Sequence, residues 1–521
     1  MVDRLDPGNS DMKTVQSTNE PCRDARRAAA LAALCFAAAS ASAANYWKGA
    51  DGADLATAAN WSDNALPESA VGYFNGRSEH GADYTATLSA DTAFYQFIWG
   101  GNAPRPNSTV LNLGGHELTM TVSSARPIRL EADKVSSVTV TNGTLVFASP
   151  SEAAWVLGSG QTLAFGEGAI FNGNAALHGS AAQNGSRIVV RDGAKVNGRL
   201  YVGDKQSGAE ILVAGAGTKA DFGGGALALS STAASSDNVF RVAGGAIATN
   251  VAATIGRADC TNLAVCVDGG ILGMTSLAIG VNGVSNVLSV CNGGTAVLSS
   301  SVNLGYASGA VAGRGGRLAV DSGSEFCTEG WNVSGNGNHT YVGKSGVAGG
   351  NEIFVGNGST YSTRTVTVYG TDNTIAVSNG TFQTVKYTIA DGNAFKVSGT
   401  TPRIYQTGQN GFSIGENCTL SFDVPESGYE SAPFDLYPGS ALAMPDTTQL
   451  EVAAKAYSVN GGGTVELMSF RGTRDVTFSD TLLDRWNGEL AANGASVSWN
   501  SATRTLLLKV RSAAATVLCF R

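Results

Sequence analysis

Apolar and polar residues alternate in short bursts along most of the chain, and each burst ends near a glycine. The recurring phrase is Asn or Ser, any residue, apolar, any residue, Val, two residues, Gly. Its clearest copies span 238–245, 262–269 and 286–293, evenly spaced and opened by Asn238, Asn262 and Asn286. Looser copies open at Ser136, Ser186, Ala209, Gly316, Asn351, Asn373 and Asn393. The apolar positions fall two apart, as in Phe240 and Val242, Leu288 and Val290, or Ile353 and Val355. That spacing predicts strands with one apolar face. Asx before the glycine, as at Asn142, Asp192, Asp268, Asn292, Asn357 and Asn379, predicts a turn, because Asx and Gly tolerate positive φ.

A second signal, apolar, any, apolar, Gly, follows about half a unit later, for example at Leu277–Gly280 and Val302–Gly305. The unit is therefore strand, turn, strand, loop. A fixed period of this size means stacked units and not one globular core. The fold expected is all-β: a single-stranded parallel β-helix, a solenoid of about 24 residues per coil, with N- and C-terminal β caps. A hairpin meander would instead alternate two strand types paired antiparallel with their sequence neighbours. The solenoid predicts that Phe240 and Val242 pair with Ala264 and Cys266, and these with Leu288 and Val290. It predicts that Asn238, Asn262 and Asn286 stack as a ladder lining one turn, and that Cys266 is a small buried apolar residue.

The chain divides on this pattern. Residues 1–43 read as a signal peptide with an extended basic region: Arg23, Arg26 and Arg27, an apolar stretch, then Ala41-Ser42-Ala43 as the cleavage site, so that the mature chain starts at Ala44. Met12 is an alternative start. Residues 44–130 lack the repeat and carry Trp47 and Trp61, which suit a cap over the first coil's open edge. Residues 131–400 hold the repeats, 401–440 irregular last coils, and 441–521 a C-terminal β cap with a hairpin around Asn500 and Ser501.

The paired Asn-x-Leu-x-Val-x-x-Gly-Gly and Leu-x-Ile-Gly signals, with the Trp47-Lys-Gly49, Asn60-Trp61 and Pro67 stretch, resemble secreted bacterial β-solenoid proteins of the autotransporter-passenger and adhesin type. The resemblance covers roughly residues 44–400. It implies a cell-surface or secreted location and contact with glycans, extracellular matrix or a host surface. After the repeats there is no run of about ten-residue alternating strands of the kind that builds a membrane barrel.

Composition narrows the picture further. The 521 residues include 67 Gly and only 15% charged residues, with a net charge of −8. No basic cluster follows the leader, which argues against nucleic acid as a partner. The apolar part of the leader is too short for a membrane span, so an integral membrane protein is not expected. Beyond the leader stand Cys260, Cys266, Cys291, Cys327, Cys418 and Cys519, an even count whose spacing fits no disulfide framework and no zinc site.

Parallel β-helices also host polysaccharide lyases and glycoside hydrolases, and a carbohydrate-active enzyme is the alternative reading. Such chemistry needs carboxylates converging on one cleft, with a base or a Ca²⁺ site beside them. Asp192 and Asp268 share a motif position but lie about three coils apart, and Asp321 lies one position earlier; all three read as turn formers. Glu325 and Glu329 flank Cys327 near Trp331 and form the one local acidic patch. His80, His116, His178 and His339 lie far apart, without metal-ligand spacing. The expectation is a non-enzymatic structural or adhesive protein, with no catalytic, cofactor-binding or metal-binding residues and no cofactor. An enzymatic site would be built in the long intervals between Gly293 and Leu318 and between Gly323 and Asn351.

Overall fold

The computed structural model describes residues 44–74, 83–100, 108–123, 126–131, 135–149, 153–177, 183–202, 206–229, 235–256, 260–280, 283–305, 315–328, 338–408 and 411–512. The leader with its cleavage site, and Glu329, Trp331, His80, His178 and Cys519, lie outside the described residues. Residues 45 onward fold as a β-solenoid of about 13 turns, roughly 25 residues each.

A long sheet of 16 parallel strands runs from Ala53–Asp54 to Gln449–Ala453. A short sheet of 7 strands ends at Leu200–Val202. The third sheet bends. In some coils one long strand covers two faces, as Ile247–Ile255 does with Thr249 pairing back to Asp221 and Ala252 to Ala226. The strands of the long sheet pair parallel along its whole length, which excludes a meander there.

Why the chain settles this way is visible in one inward column. Phe240, Val265, Leu288, Leu318, Ile353 and Ile375 are consecutive register partners in the long sheet, and all are buried. Each contributes about 1.5–3 kcal/mol of apolar burial. The chain lengths between them are unequal, shortest from Ile353 to Ile375 and longest from Leu318 to Ile353. The sheet register is therefore constant while the corners absorb the difference.

This corrects the fixed-period pairing locally. Phe240 pairs with Val265 and Val242 with Val267, one position later than Ala264 and Cys266. A slip by one position would turn Ala264, Cys266 and Asp268 inward and Val265 and Val267 outward, burying a carboxylate. The extra residue sits at the corner instead. Asn262 adopts φ +55, is exposed, and donates to Asp237 Oδ1 at 3.1 Å. Leu263 takes the interior slot, and Cys266 lies half-exposed on the outer face.

The ladder itself exists, one slot removed from Asn262. Asn238, Leu263, Asn286, Gly316, Asn351, Asn373 and Asn393 each stand two positions before the inward column. Asn238 Oδ1 accepts from the Ala209 amide at 2.9 Å, and Asn286 Oδ1 from the Leu263 amide at 3.1 Å. Asn351 Oδ1 accepts from the Gly316 amide at 3.0 Å. These carboxamides satisfy corner amides that the strands cannot reach.

The two ends differ. Trp47 and Trp61 lie 5.1 Å apart edge to face, both buried, with Phe74, Phe94 and Phe97 around Trp61. Parallel pairing already starts here, at Ala53 with Ala86, so coils reach into 44–130. At the other end Gly463–Phe470, Ala495–Asn500 and Thr505–Val510 pair antiparallel; Asn500 stands opposite Thr505, so the hairpin forms but turns at 501–504, after the Asn500 and Ser501 position expected. A helix, Asp480–Ala491, was not anticipated. Ser479 caps it through the Leu482 amide, and Trp486 Nε1 donates to Thr448 O at 2.8 Å across the end of the long sheet. No helix among the described residues is long and apolar enough to cross a membrane.

Candidate functional site

The outer face of the long sheet is where side chains from successive coils meet. Residues there alternate with the buried column, so every second position faces outward at strand spacing, about 4.8 Å from its neighbour on the next coil. Arg187, Glu210, Arg241 and Asp268 come from four consecutive coils. Arg187 Nη2 lies 2.6 Å from Glu210 Oε2, and Arg241 bridges Glu210 and Asp268 at 3.6 Å each. Asn292 Nδ2 donates to the other Asp268 oxygen at 2.7 Å.

Farther along, Arg317 Nε pairs with Glu352 Oε2 at 2.6 Å, and its guanidinium stands 5.2 Å over the Phe354 ring. Gly356 makes room for that ring. A Cβ there would come within 2.7–2.8 Å of Phe354 and of Asp321 Oδ1. Beside Phe354 the outward residues shrink to Ala376, Ser378 and Ser398, with Lys396, Ser421 and Asp423 at the border. They leave a shallow groove of about 230 Å³. An apolar ring edge, three hydroxyls, an ammonium and a carboxylate suit a polyhydroxylated ligand lying flat.

The described carboxylates singled out in the sequence, Asp192, Asp268, Asp321 and Glu325, do not converge. Asp192 has φ +56 and pairs with its neighbour Arg191 at 3.3 Å. Asp268 is held by Arg241 and Asn292. Asp321 Oδ1 accepts from Asn357 Nδ2 at 2.8 Å and from the Ser322 amide at 2.7 Å. Glu325 lies on the bent sheet, exposed between Thr295 and Thr360. His116 lies 3.4 Å from Asp91, whereas His339 bonds Thr365 on the bent sheet. Burial first, and then the nearby Arg364 charge, push the His339 imidazole below its ordinary range. No group of three or more His, Cys, Asp or Glu side chains converges among the described residues. None of the five described cysteines is in a disulfide; Cys260 and Cys418 are buried, and Cys266, Cys291 and Cys327 half-buried.

The ionic ladder and the Phe354 groove escaped the sequence reading. Their signal is register. Arg187, Glu210 and Arg241 come together only once coils of unequal length replace a fixed period. The chain matches no protein-family model, no curated protein and no solved structure.

Proposed function

We propose that this chain is a secreted or cell-surface β-solenoid with a structural or adhesive role and no catalytic activity, akin to the autotransporter-passenger and adhesin proteins its repeats resemble. One observation carries the reading. Glu210, Asp268, Asp321 and Glu352 on the outer face are each engaged by an Arg or Asn of an adjoining coil. Glycoside hydrolysis needs two carboxyl groups about 5–9.5 Å apart across the scissile bond, one of them holding a proton. Carboxylates locked to guanidinium and amide groups serve cohesion of the coils instead. The Phe354 groove and its Ser378, Ser398 and Ser421 hydroxyls offer hydrogen bonds to glycan hydroxyls. Such contacts are weak singly and gain strength through repetition.

The experiment pairs a glycan array with a turnover assay on the purified mature chain. The expected result is low-affinity, multivalent glycan signal that falls in Phe354→Ala, with no sugar released. Release of unsaturated or reducing-end sugar, abolished by Asp321→Asn or Glu325→Gln, would establish the carbohydrate-active alternative. N-terminal sequencing of the exported protein tests the location: the reading requires a start at Ala44.

A further inference from the structure

Among the described cysteines, Cys266 and Cys291 are the two that sit on adjacent coils of one outer face. The register sets Cys266 opposite Ser289 and Asp268 opposite Cys291, so the cysteines are diagonal neighbours on strands Ala264–Asp268 and Val287–Cys291. Both are half-exposed. Burial pushes the Cys266 thiol up, the Arg241 charge opposes this, and the neighbouring Cys291 adds to the rise. Arg241 Nη1 donates to Cys266 Sγ at 3.7 Å from the coil before.

We propose that Cys266 and Cys291 form a two-coordinate site for a soft, thiophilic cation, with Cu(I) as the ion that fits. Three observations select this chemistry. The nearest hard ligand, Asp268, is already committed to Asn292 and Arg241, which leaves two sulfurs and no third donor among the described residues. Zinc requires four ligands in a structural site, whereas thiolate pairs favour Cu(I). The diagonal offset then separates a metal bridge from a disulfide. Strand spacing and a rise of two positions place the two Cα atoms about 8 Å apart. A relaxed disulfide spans about 4.4–6.8 Å. A single ion between the sulfurs supplies the missing length. The step balances as two thiols plus Cu(I) giving one dithiolate-bridged Cu(I) of charge −1, with two protons released to solvent. No electron is transferred, and the Arg241 guanidinium beside Cys266 Sγ offsets the added negative charge.

The test titrates the reduced full chain anaerobically with tetrakis(acetonitrile)copper(I) against a chromogenic Cu(I) chelator. Wild type should retain one Cu(I) per chain and gain a thiolate-to-copper absorption band. Cys266→Ser and Cys291→Ser should each lose both signals, while Cys327→Ser keeps them. Unchanged circular dichroism in the Ser variants separates loss of the site from loss of the fold. Retention of copper in either Ser variant would overturn the proposal. So would rapid closure of a Cys266–Cys291 disulfide under glutathione disulfide, seen as a two-hydrogen mass loss, because it would show that the backbone needs no bridging ion.

Discussion

The side-chain amide of Asn351 donates to Oδ1 of Asn373 across 2.9 Å, and the Asn351 backbone amide uses the same oxygen at 3.2 Å. Asn373 repeats this toward Asn393, with both bonds at 3.0 Å. One carboxamide thus closes the corner of its own coil and fastens the coil before it. An apolar side chain in the same slot would leave those amide groups buried and unpaired.

Replacing Asn373 by Ala should destabilise the neighbouring coils by about 1–3 kcal/mol, the cost of stranded buried partners. Asn262→Gly should stay within about 0.5 kcal/mol, since Asn262 is exposed and glycine accepts its left-handed backbone. Denaturant titration with hydrogen exchange at Asn351 and Gly316 checks both. Equal effects at the two sites would remove the distinction between the interior ladder and the outer corner.

Trp61→Ala should cost about 3–5 kcal/mol. Trp61 is fully buried, packs on Trp47, Phe74 and Phe97, and donates from Nε1 to Leu55 O at 2.9 Å. Its loss opens the first coil, whose strand edges then template pairing with other chains. Thermal melts and size-exclusion chromatography should show a lower transition and concentration-dependent association. A monomer with unchanged melting would mean that the aromatic cluster is dispensable.

Alkaline pH should unfold the solenoid in a step tied to its interior tyrosines. Burial pushes Tyr84 up to about 12, against hydrogen bonds to Thr109 and Trp99 that favour ionisation. Burial also raises Tyr361 and Tyr387, and Tyr361 bonds Thr340 at 2.8 Å. An unfolded phenol ionises near its ordinary 10.0. The folded state holds these protons longer, so their contribution is complete below about pH 10 and is lost as pH climbs through the raised values. Phenolate absorbance of the buried set should rise together with loss of the far-ultraviolet signal. Full ionisation of all 14 tyrosines with the fold intact would contradict this.

Much of this architecture was legible because solenoid sequence is repetitive. The Val and Leu pairs, the Asx-Gly turns and the Asn slots each encode one local geometry, and the same geometry recurs. The register at Asn262 departs from the motif because a single corner residue changes the phase without changing the motif's wording. The helix Asp480–Ala491 had its own signals, a Ser479 cap and Leu482, Trp486 and Leu490 at every fourth position, but stood inside a segment dominated by strand alternation. The outer-face features were beyond reach for another reason. Phe354, Ala376 and Lys396 hold the same position in the copies opened by Asn351, Asn373 and Asn393, but they become neighbours only in coils shorter than the repeat, and nothing in the motif says that their outward side chains leave a groove.

Those unequal coils give the solenoid the properties of a ruler. The short path from Ala376 to Lys396 and the long one from Ala319 to Phe354 both advance the axis by a single strand spacing, about 4.8 Å. Axial reach is therefore counted in turns, and chain length beyond the minimum adds nothing to it. Segments lengthened at a corner change what is displayed at that graduation and leave every other graduation at its height. Excising one whole turn, bounded by register partners such as Phe240 and Val265, should shorten the scale by one division and bring former second neighbours into contact, inward column to inward column.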